Sequence, residues 1–359
     1  MQGLSQKRVS PEALKTFCIE ALLRAGMSES PARVTAEVLV TTDTWGIHTH
    51  GTYNLFNYVR KIRAGGIAPR AVPEITADGP CWASLDGHCA IAMVTSCMAM
   101  ETAISKAKST GIGFAGVRNS NHFGAAAYYA SMALQHEMIG LAFTNTGLAM
   151  TAPGSRGAVI GNNPLAYAAP AGEERPLLMD IALSVVAGTK VEIAKKLGKP
   201  IPDNWIVDEA GLPTTDPGKY PSAVSLVSMA AHKGYGLALM VEILAGVLTG
   251  AGVTTGVVSW GPNLPAPPHT GHSFIAIDVS AMMPLQQFKM RMDTMIRGIR
   301  ESPKAAGAER IYLPGEMEWE KRDQALKLGL LLPAETITNL SSLAKDVGLR
   351  LTDYGLEFD

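Results

Sequence analysis

The chain has 359 residues, 47 % of them apolar and 18 % charged, a balance that supports a sizeable core and excludes a disordered chain. Thirty-one basic against 32 acidic side chains leave a formal charge of −1, so no broad field draws the protein to nucleic acid or an anionic membrane. The length suits two domains, or one large core with appended subdomains.

In chain order, Ser10 is a suitable N-cap with Pro11 at the first helical position, and Leu14, Phe17, Cys18, Ala21 and Leu22 keep a 3.6-residue period up to Gly26. A second helix is expected from about Ser30 to Thr44. "GGIAPRAVPEI" (65–75) is a Gly/Pro connector and marks a subdomain boundary. A long helix over 90–109 precedes a strand "IGFAGV" (112–117), a helix "GAAAYYASMALQHEM" (124–138) and a strand "IGLAFTNT" (139–146). "PLAYAAP" (164–170), "PLLMDIA" (176–182) and "HSFIAIDV" (272–279) are further strands, and "HKGYGLALMVEILAGVLTGA" (232–251) is a helix with a Gly-rich start. The most apolar stretch, Gly236 to Val258, contains Glu242 and several glycines, so it reads as a buried helix followed by a loop, not a membrane span. Beyond Pro284 the chain is charged and helical. Cys18, Cys81, Cys89 and Cys97 form no C-x-x-C and are expected as buried thiols of a reducing compartment. "MQGLSQKRVSPEAL" carries no apolar signal run, so a cytoplasmic protein is expected.

No G-x-G-x-x-G, no G-x-x-x-x-G-K-[ST] and no G-x-S-x-G occurs after any strand. Any dinucleotide is therefore held without the Rossmann fingerprint. Four segments carry candidate chemistry. His48 and His50 flank Thr49; on a strand the two rings would share a face and could hold a metal, or they form a polar pair in a half-buried turn. His122, in "VRNSNHFGAAAYYA", follows a strand and precedes a helix, where an imidazole is a candidate acid/base. Asp180 ends the apolar run of "PLLMDIALS", where a carboxylate needs a partner: it caps a helix or turn, or it serves a histidine or a cofactor hydroxyl. Lys233, between small residues and Gly234, suits a phosphate or carboxylate. Together these residues fit hydride transfer with a small oxyacid.

The blocks "GIHTHGTYNL", "NSNHFGAAAYYA", "GNNPLAYAAP", "MDIALSVVAGTK", "IPDNWIVDEAGLPTTDP", "HKGYGLALMVEILAGVLTG" and "RIYLPGE" resemble, in order, those of the type 2 malate/L-lactate dehydrogenase family. The resemblance implies a mixed α/β fold: a non-Rossmann NAD(P)-binding domain with a mixed sheet over 76–284, and a mainly helical domain from residues 1–75 with 285–359. It also implies a homodimer with the active site near the subunit interface.

By the same resemblance, His122 is the proton acceptor or donor, His50 lines the substrate pocket, and Asp180, Ile181 and Ala182 match a cofactor-binding stretch. Thr146, Lys233 and Gly234 match further cofactor contacts; Asn162, Asn163 and Pro164 form a loop beside the nicotinamide, and Arg291 aligns with a later contact. Thr49 replaces the family's serine and Asn54 its usual arginine, a carboxylate clamp, with Arg60 or Arg63 as substitutes; Leu183 removes a hydroxyl. The implied reaction interconverts a 2-hydroxy and a 2-oxo acid with NAD, or NADP in its place. Three alternatives stand beside it: reduction of a cyclic or N-alkyl imino acid, a metal-dependent hydrolase using His48, His50 and His122, and a catalytically silent dinucleotide binder.

Overall fold

In the computed structural model, which describes residues 8–358 apart from 223, 260 and 262, Ser10 opens the first helix as its sequence requires. The Ser10 hydroxyl accepts the Ala13 N–H, and α1 runs Pro11–Arg24 with Leu14, Phe17, Cys18, Ala21 and Leu22 buried. The second helix, α2, spans Glu29–Thr44. After a double turn of 3-10 helix, α3 (Leu55–Ala64) buries Leu55, Tyr58, Val59 and Ile62 and ends on Gly65 at φ 87°. The chain's far end returns to these helices: α9 (Glu316–Leu328) packs on α2, and α10 (Ala334–Val347) on α1 and α3. Reciprocal hydrogen bonds between Val9 and Leu330, 2.8 and 2.9 Å, close the two ends together.

The middle of the chain forms β1 (Glu74–Asp78), β2 (Trp82–Asp86), α4 (Ala92–Thr110), β3 (Ile112–Ser120), α5 (Ala126–Met132) and β4 (Met138–Thr144). Then come β5 (Leu148–Met150), β6 (Ile160–Gly161), β7 (Leu165–Ala169), β8 (Leu177–Ile181), α6 (Gly188–Lys196), β9 (Ile206–Val207), β10 (Pro213–Thr214), β11 (Ser225–Leu226), α7 (His232–Val241), β12 (Thr270–Asp278) and α8 (Leu285–Arg300). Among the described residues the main sheet has seven strands in the order β1-β2-β3-β12-β4-β7-β8, and a small sheet runs β10-β9-β11-β5-β6. In the main sheet the pair joined by α4, β2 with β3, is parallel; the other pairs are antiparallel. A sheet of this kind has no run of parallel strands to form a nucleotide-binding switch point, which accounts for the missing Rossmann fingerprint. β12, central in the sheet, is buried on both faces over most of its length; its apolar run is Phe274 to Ile277, and its buried half also holds Thr270, His272 and Ser273. One core cluster joins α1–α5, α9 and α10 to one face of the sheet; a second, holding Leu183, Leu226, Ala238 and Val241, fills the space by the small sheet and α7.

Four expectations need correction. The helix expected over 124–138 is α-helical only to Met132 and tightens into 3-10 turns to His136. His48–His50 is a 3-10 turn and not a strand, so the two rings do not share a strand face. Cys18 is buried, but Cys81 is exposed and Cys89 and Cys97 are half-buried, all four free. The helix after Gly236 continues as a π-helix (Glu242–Val247) with Ile243, Val247 and Leu248 exposed; it is not buried within the single chain. No helix among the described residues is long and apolar enough to cross a membrane.

Candidate active site

β3 runs into the loop 121–125, which carries His122, and the loop is held from three sides. Asn121, wholly buried, accepts the Ala92 N–H and donates to the Ala90 carbonyl, pinning the loop to the start of α4. Asp180, near the end of β8, accepts the Ala127 N–H at 2.8 Å in the first turn of α5, where a carboxylate is favoured. Behind the loop lies His272 of β12. It is fully buried, its ring nitrogens 2.8 Å from the Thr144 hydroxyl and 2.9 Å from that of Ser120, and it stacks on Phe123 with centroids 4.5 Å apart.

The His122 ring faces two side chains from the N-terminal helices. The Tyr58 hydroxyl lies 2.5 Å from its Nδ1, and the His50 ring stacks against it at 5.6 Å and 26°. Gly124 ties the arrangement: its N–H donates to the Tyr58 hydroxyl, and at φ 79° a Cβ there would fall 3.3 Å from the His50 carbonyl. Burial pushes the His122 pKa well below the usual imidazole value, with His50 and His272 adding to the shift; burial lowers His50 as well, and takes His272 down to about 3. All three rings are therefore neutral at neutral pH. Asp180 moves the other way. Burial raises its carboxyl to about 6 against the N–H groups of Ala127 and Ala126. Its observed partner is the helix end and not a histidine.

A second cluster lies at the ends of β4, β7 and β8. The Thr146 N–H donates to Asn163 Oδ1 at 3.0 Å, and its hydroxyl to Asn162 Oδ1 at 3.0 Å. Asn163 is wholly buried, and its amide is spent on the Ala238 carbonyl and Glu242; the side chain shapes the loop, leaving the half-buried Thr146 and Asn162 to face outward. Pro164 accepts from Thr144 N, and Leu183, wholly buried, joins Asn162 to Met229 through its backbone. Asp180 and Ile181, consecutive on β8, point to opposite faces: Asp180 toward α5, Ile181 into the second core, with Ala182 beyond the strand's end. Lys233, exposed, stands in the first turn of α7 behind Ala230 and Ala231 at φ 47° and 53°. Two consecutive alanines in that region store strain of the kind found at functional sites. A Cβ on Gly234 would meet the Met229 carbonyl at 2.1 Å.

Several sequence-derived candidates are placed elsewhere. Arg291 is exposed on α8, whose Asp293 is anchored to the N–H groups of Gly172, Glu173 and Glu174 at the β7–β8 turn; that turn is at the opposite end of those strands from Asn163. The Asn54 amide donates to the Thr49 carbonyl at 2.7 Å. Thr49 itself is exposed, its hydroxyl 2.9 Å from His50 Nδ1. Arg60 lies over the Phe56 ring at 5.8 Å, and Arg63 pairs with Asp346. His48 turns to Asp43, 2.9 Å away, and among the described residues no group of three His, Cys, Asp or Glu side chains is gathered to hold a metal.

The malate/L-lactate dehydrogenase family matches the chain across residues 9–341. Malate dehydrogenase of Pyrococcus horikoshii is 35 % identical over 95 % of this chain and 96 % of its own length. A Pseudomonas putida Δ1-pyrroline-2-carboxylate/Δ1-piperideine-2-carboxylate reductase is 30 % identical over 94 % and 96 %. The solved structure of sulfolactate dehydrogenase from Methanocaldococcus jannaschii superposes with a TM-score of 0.90 at 34 % identity, covering 97 % of this chain and 99 % of that one.

Proposed function

The chain belongs to the malate/L-lactate dehydrogenase family, an oxidoreductase family, and from that membership we propose that it interconverts a 2-hydroxy acid and its 2-oxo acid with NAD or NADP, using His122 as acid/base. The observation that carries this reading is the His50–His122 stack with Tyr58 on Nδ1, set at the end of β3. In the oxidation direction, His122 takes the proton of the substrate hydroxyl. In reduction it returns that proton to the forming alkoxide. His50, with Thr49 on its Nδ1, flanks the substrate. Asp180 orients the His122 loop by holding α5.

The residues of the second cluster fit a dinucleotide. Lys233 offers an ammonium for a phosphate, and Thr146 and Asn162 present polar groups for a ribose or a carboxamide. The nicotinamide supplies the acceptor or donor of the hydride.

The surroundings favour a substrate with a single carboxylate. Two of the three cations of α3 are already committed: Lys61 is wholly buried and donates to the carbonyls of Asn263, Leu264 and Ala266, and Arg63 pairs with Asp346, while Arg60 lies exposed over Phe56. Asn54 has no charge to offer. A lactate-like acid fits this lining better than a dicarboxylate, and a cyclic imino acid fits it equally, His122 then protonating nitrogen. Steady-state assays of pyruvate, oxaloacetate and Δ1-piperideine-2-carboxylate with NADH and NADPH test the reading. Turnover of the monocarboxylates above oxaloacetate is expected; absence of turnover with all three removes the proposal. We further propose a homodimer and a cytoplasmic location, the former supported by the exposed apolar side chains of α7 and its continuation.

A further inference from the structure

The short turn that carries His50, residues 48–52, is closed around a residue outside the reaction itself. Asp43 sits in the last turn of α2, 1 % exposed. One of its carboxylate oxygens accepts both the Thr52 N–H at 2.9 Å and the Thr52 hydroxyl at 2.6 Å. The other lies 2.9 Å from His48 Nδ1. Between the two anchored residues run Thr49, His50 and Gly51. A Cβ on Gly51 would stand 2.2 Å from the same carboxylate, so the chain can wrap this closely only with glycine there. A carboxylate buried this deeply is retained where its lone pairs are filled, and here three donors fill them.

We propose that Asp43 is the positioning residue for His50: it touches no substrate, and by holding residues 48–52 it sets the face that His50 presents to His122 and to the bound acid. The proposal rests on the reading of His50 and His122 as the substrate-side pair. Distortion of the turn moves His50 against a ring only 5.6 Å away, and displacements on the ångström scale in such a pair cost about 10²-fold in rate. The hydrogen-bond chemistry also says which substitutions the turn tolerates. In Asp43→Asn, the amide oxygen can take both Thr52 donors while the amide NH₂ meets His48 Nδ1, an imidazole nitrogen able to accept in its other tautomer. In Asp43→Ala both anchors are lost, and in Thr52→Val one hydroxyl bond is lost while the side-chain volume is kept.

The test compares Asp43→Asn, Asp43→Ala, Thr52→Ser and Thr52→Val in the full chain, well below the melting temperature of each. Asp43→Ala and Thr52→Val should lower kcat/KM for the oxo or imino acid by roughly 10- to 100-fold, with the NADH dissociation constant changed less than about twofold. Asp43→Asn and Thr52→Ser should stay within about threefold of the parent protein, since they keep the bonds. Should Asp43→Ala not fold, the Thr52→Val and Thr52→Ser pair makes the same comparison. The His50 imidazole resonances in ¹⁵N-edited NMR spectra give a reading without turnover, and they should move in Thr52→Val but not in Thr52→Ser. An unmoved His50 signal with unchanged kcat/KM in Thr52→Val, or a loss confined to NADH affinity, overturns the role of Asp43. A parent protein with no turnover of any 2-oxo or cyclic imino acid overturns the proposed reaction instead, and the NMR comparison still decides whether Asp43 positions His50.

Discussion

At the scale of single residues, the chemistry turns on which side of neutrality each buried group titrates. His122 is pushed well below the ordinary imidazole value of 6.5, so its base form persists as the medium is acidified. The profile of kcat/KM for hydroxy-acid oxidation should therefore stay flat from alkaline pH down past 6.5, while reduction, which uses the protonated ring, should weaken steadily as pH rises. An oxidation limb that already falls at the ordinary imidazole value assigns the proton to another group. His122→Ala should lower turnover by about 10²–10⁴-fold, and near-parental turnover in that variant removes His122 from the reaction. Asp180 titrates in the opposite sense. Its folded-state pKa, raised from 3.8 to about 6, means that the protonated form is favoured by folding; that contribution is complete below pH 3.8 and is lost as pH rises through about 6. Asp180→Asn keeps an oxygen for the Ala127 N–H and removes the charge. Urea unfolding of parent and variant at about pH 4 and pH 7 should shift the difference in the variant's favour by on the order of 1–2 kcal/mol at the higher pH, allowing for partial exposure. A difference independent of pH would show that the carboxylate is solvated.

At the scale of elements, the close approach of α4 to the sheet is set by a single missing atom. A Cβ on Gly113 of β3 would stand 1.9 Å from the Ala103 carbonyl of α4, so Gly113→Ala must push helix and strand apart, at about 1–3 kcal/mol. The urea midpoint reads this directly, and an unchanged midpoint would mean that α4 slides without cost. The same packing explains what could be read before the structure. β3, β4, β7 and β12 are buried on at least part of both faces, β8 is half-buried, and all five announce themselves as short apolar runs. β1 is exposed along its whole length and has no pattern to find, and β9, β10 and β11 are two residues each. α3 was hidden because it begins directly after the 3-10 turns around His50. His122, Asp180 and Lys233 stood out as polar residues among apolar or small neighbours. Tyr58, Asp43 and His272 did not, because each acts through a contact made only in the fold: Tyr58 with His122 64 residues on, Asp43 with Thr52 across a turn, and His272 with Ser120 152 residues back.

At the scale of the whole molecule, one surface is out of keeping with the rest. α7 and its π-helical continuation leave Leu237, Leu239 and Met240 38–39 % exposed, and Ile243, Val247 and Leu248 54–61 % exposed. Leu237, Met240, Ile243 and Val247 recur at spacings of three and four, which gathers them on one helical face. A contiguous apolar band of this kind marks an interaction surface, and a second copy of the chain is the occupant that a self-complementary two-fold contact would seat there. The same helix carries Lys233 in its first turn, so an interface along α7 would steady the strained Ala230–Ala231 backbone that presents the ammonium. Ile243→Asp with Val247→Asp places two carboxylates in the middle of the band and leaves the fold's own cores untouched, since both side chains face outward. In sedimentation velocity the parent protein should run at twice the 38.0 kDa chain mass and the double variant at the chain mass, and the variant should bind NADH more weakly through Lys233. A parent protein that sediments as a single chain at micromolar concentration, or a double variant that keeps the parent's mass, would leave the band without its proposed partner.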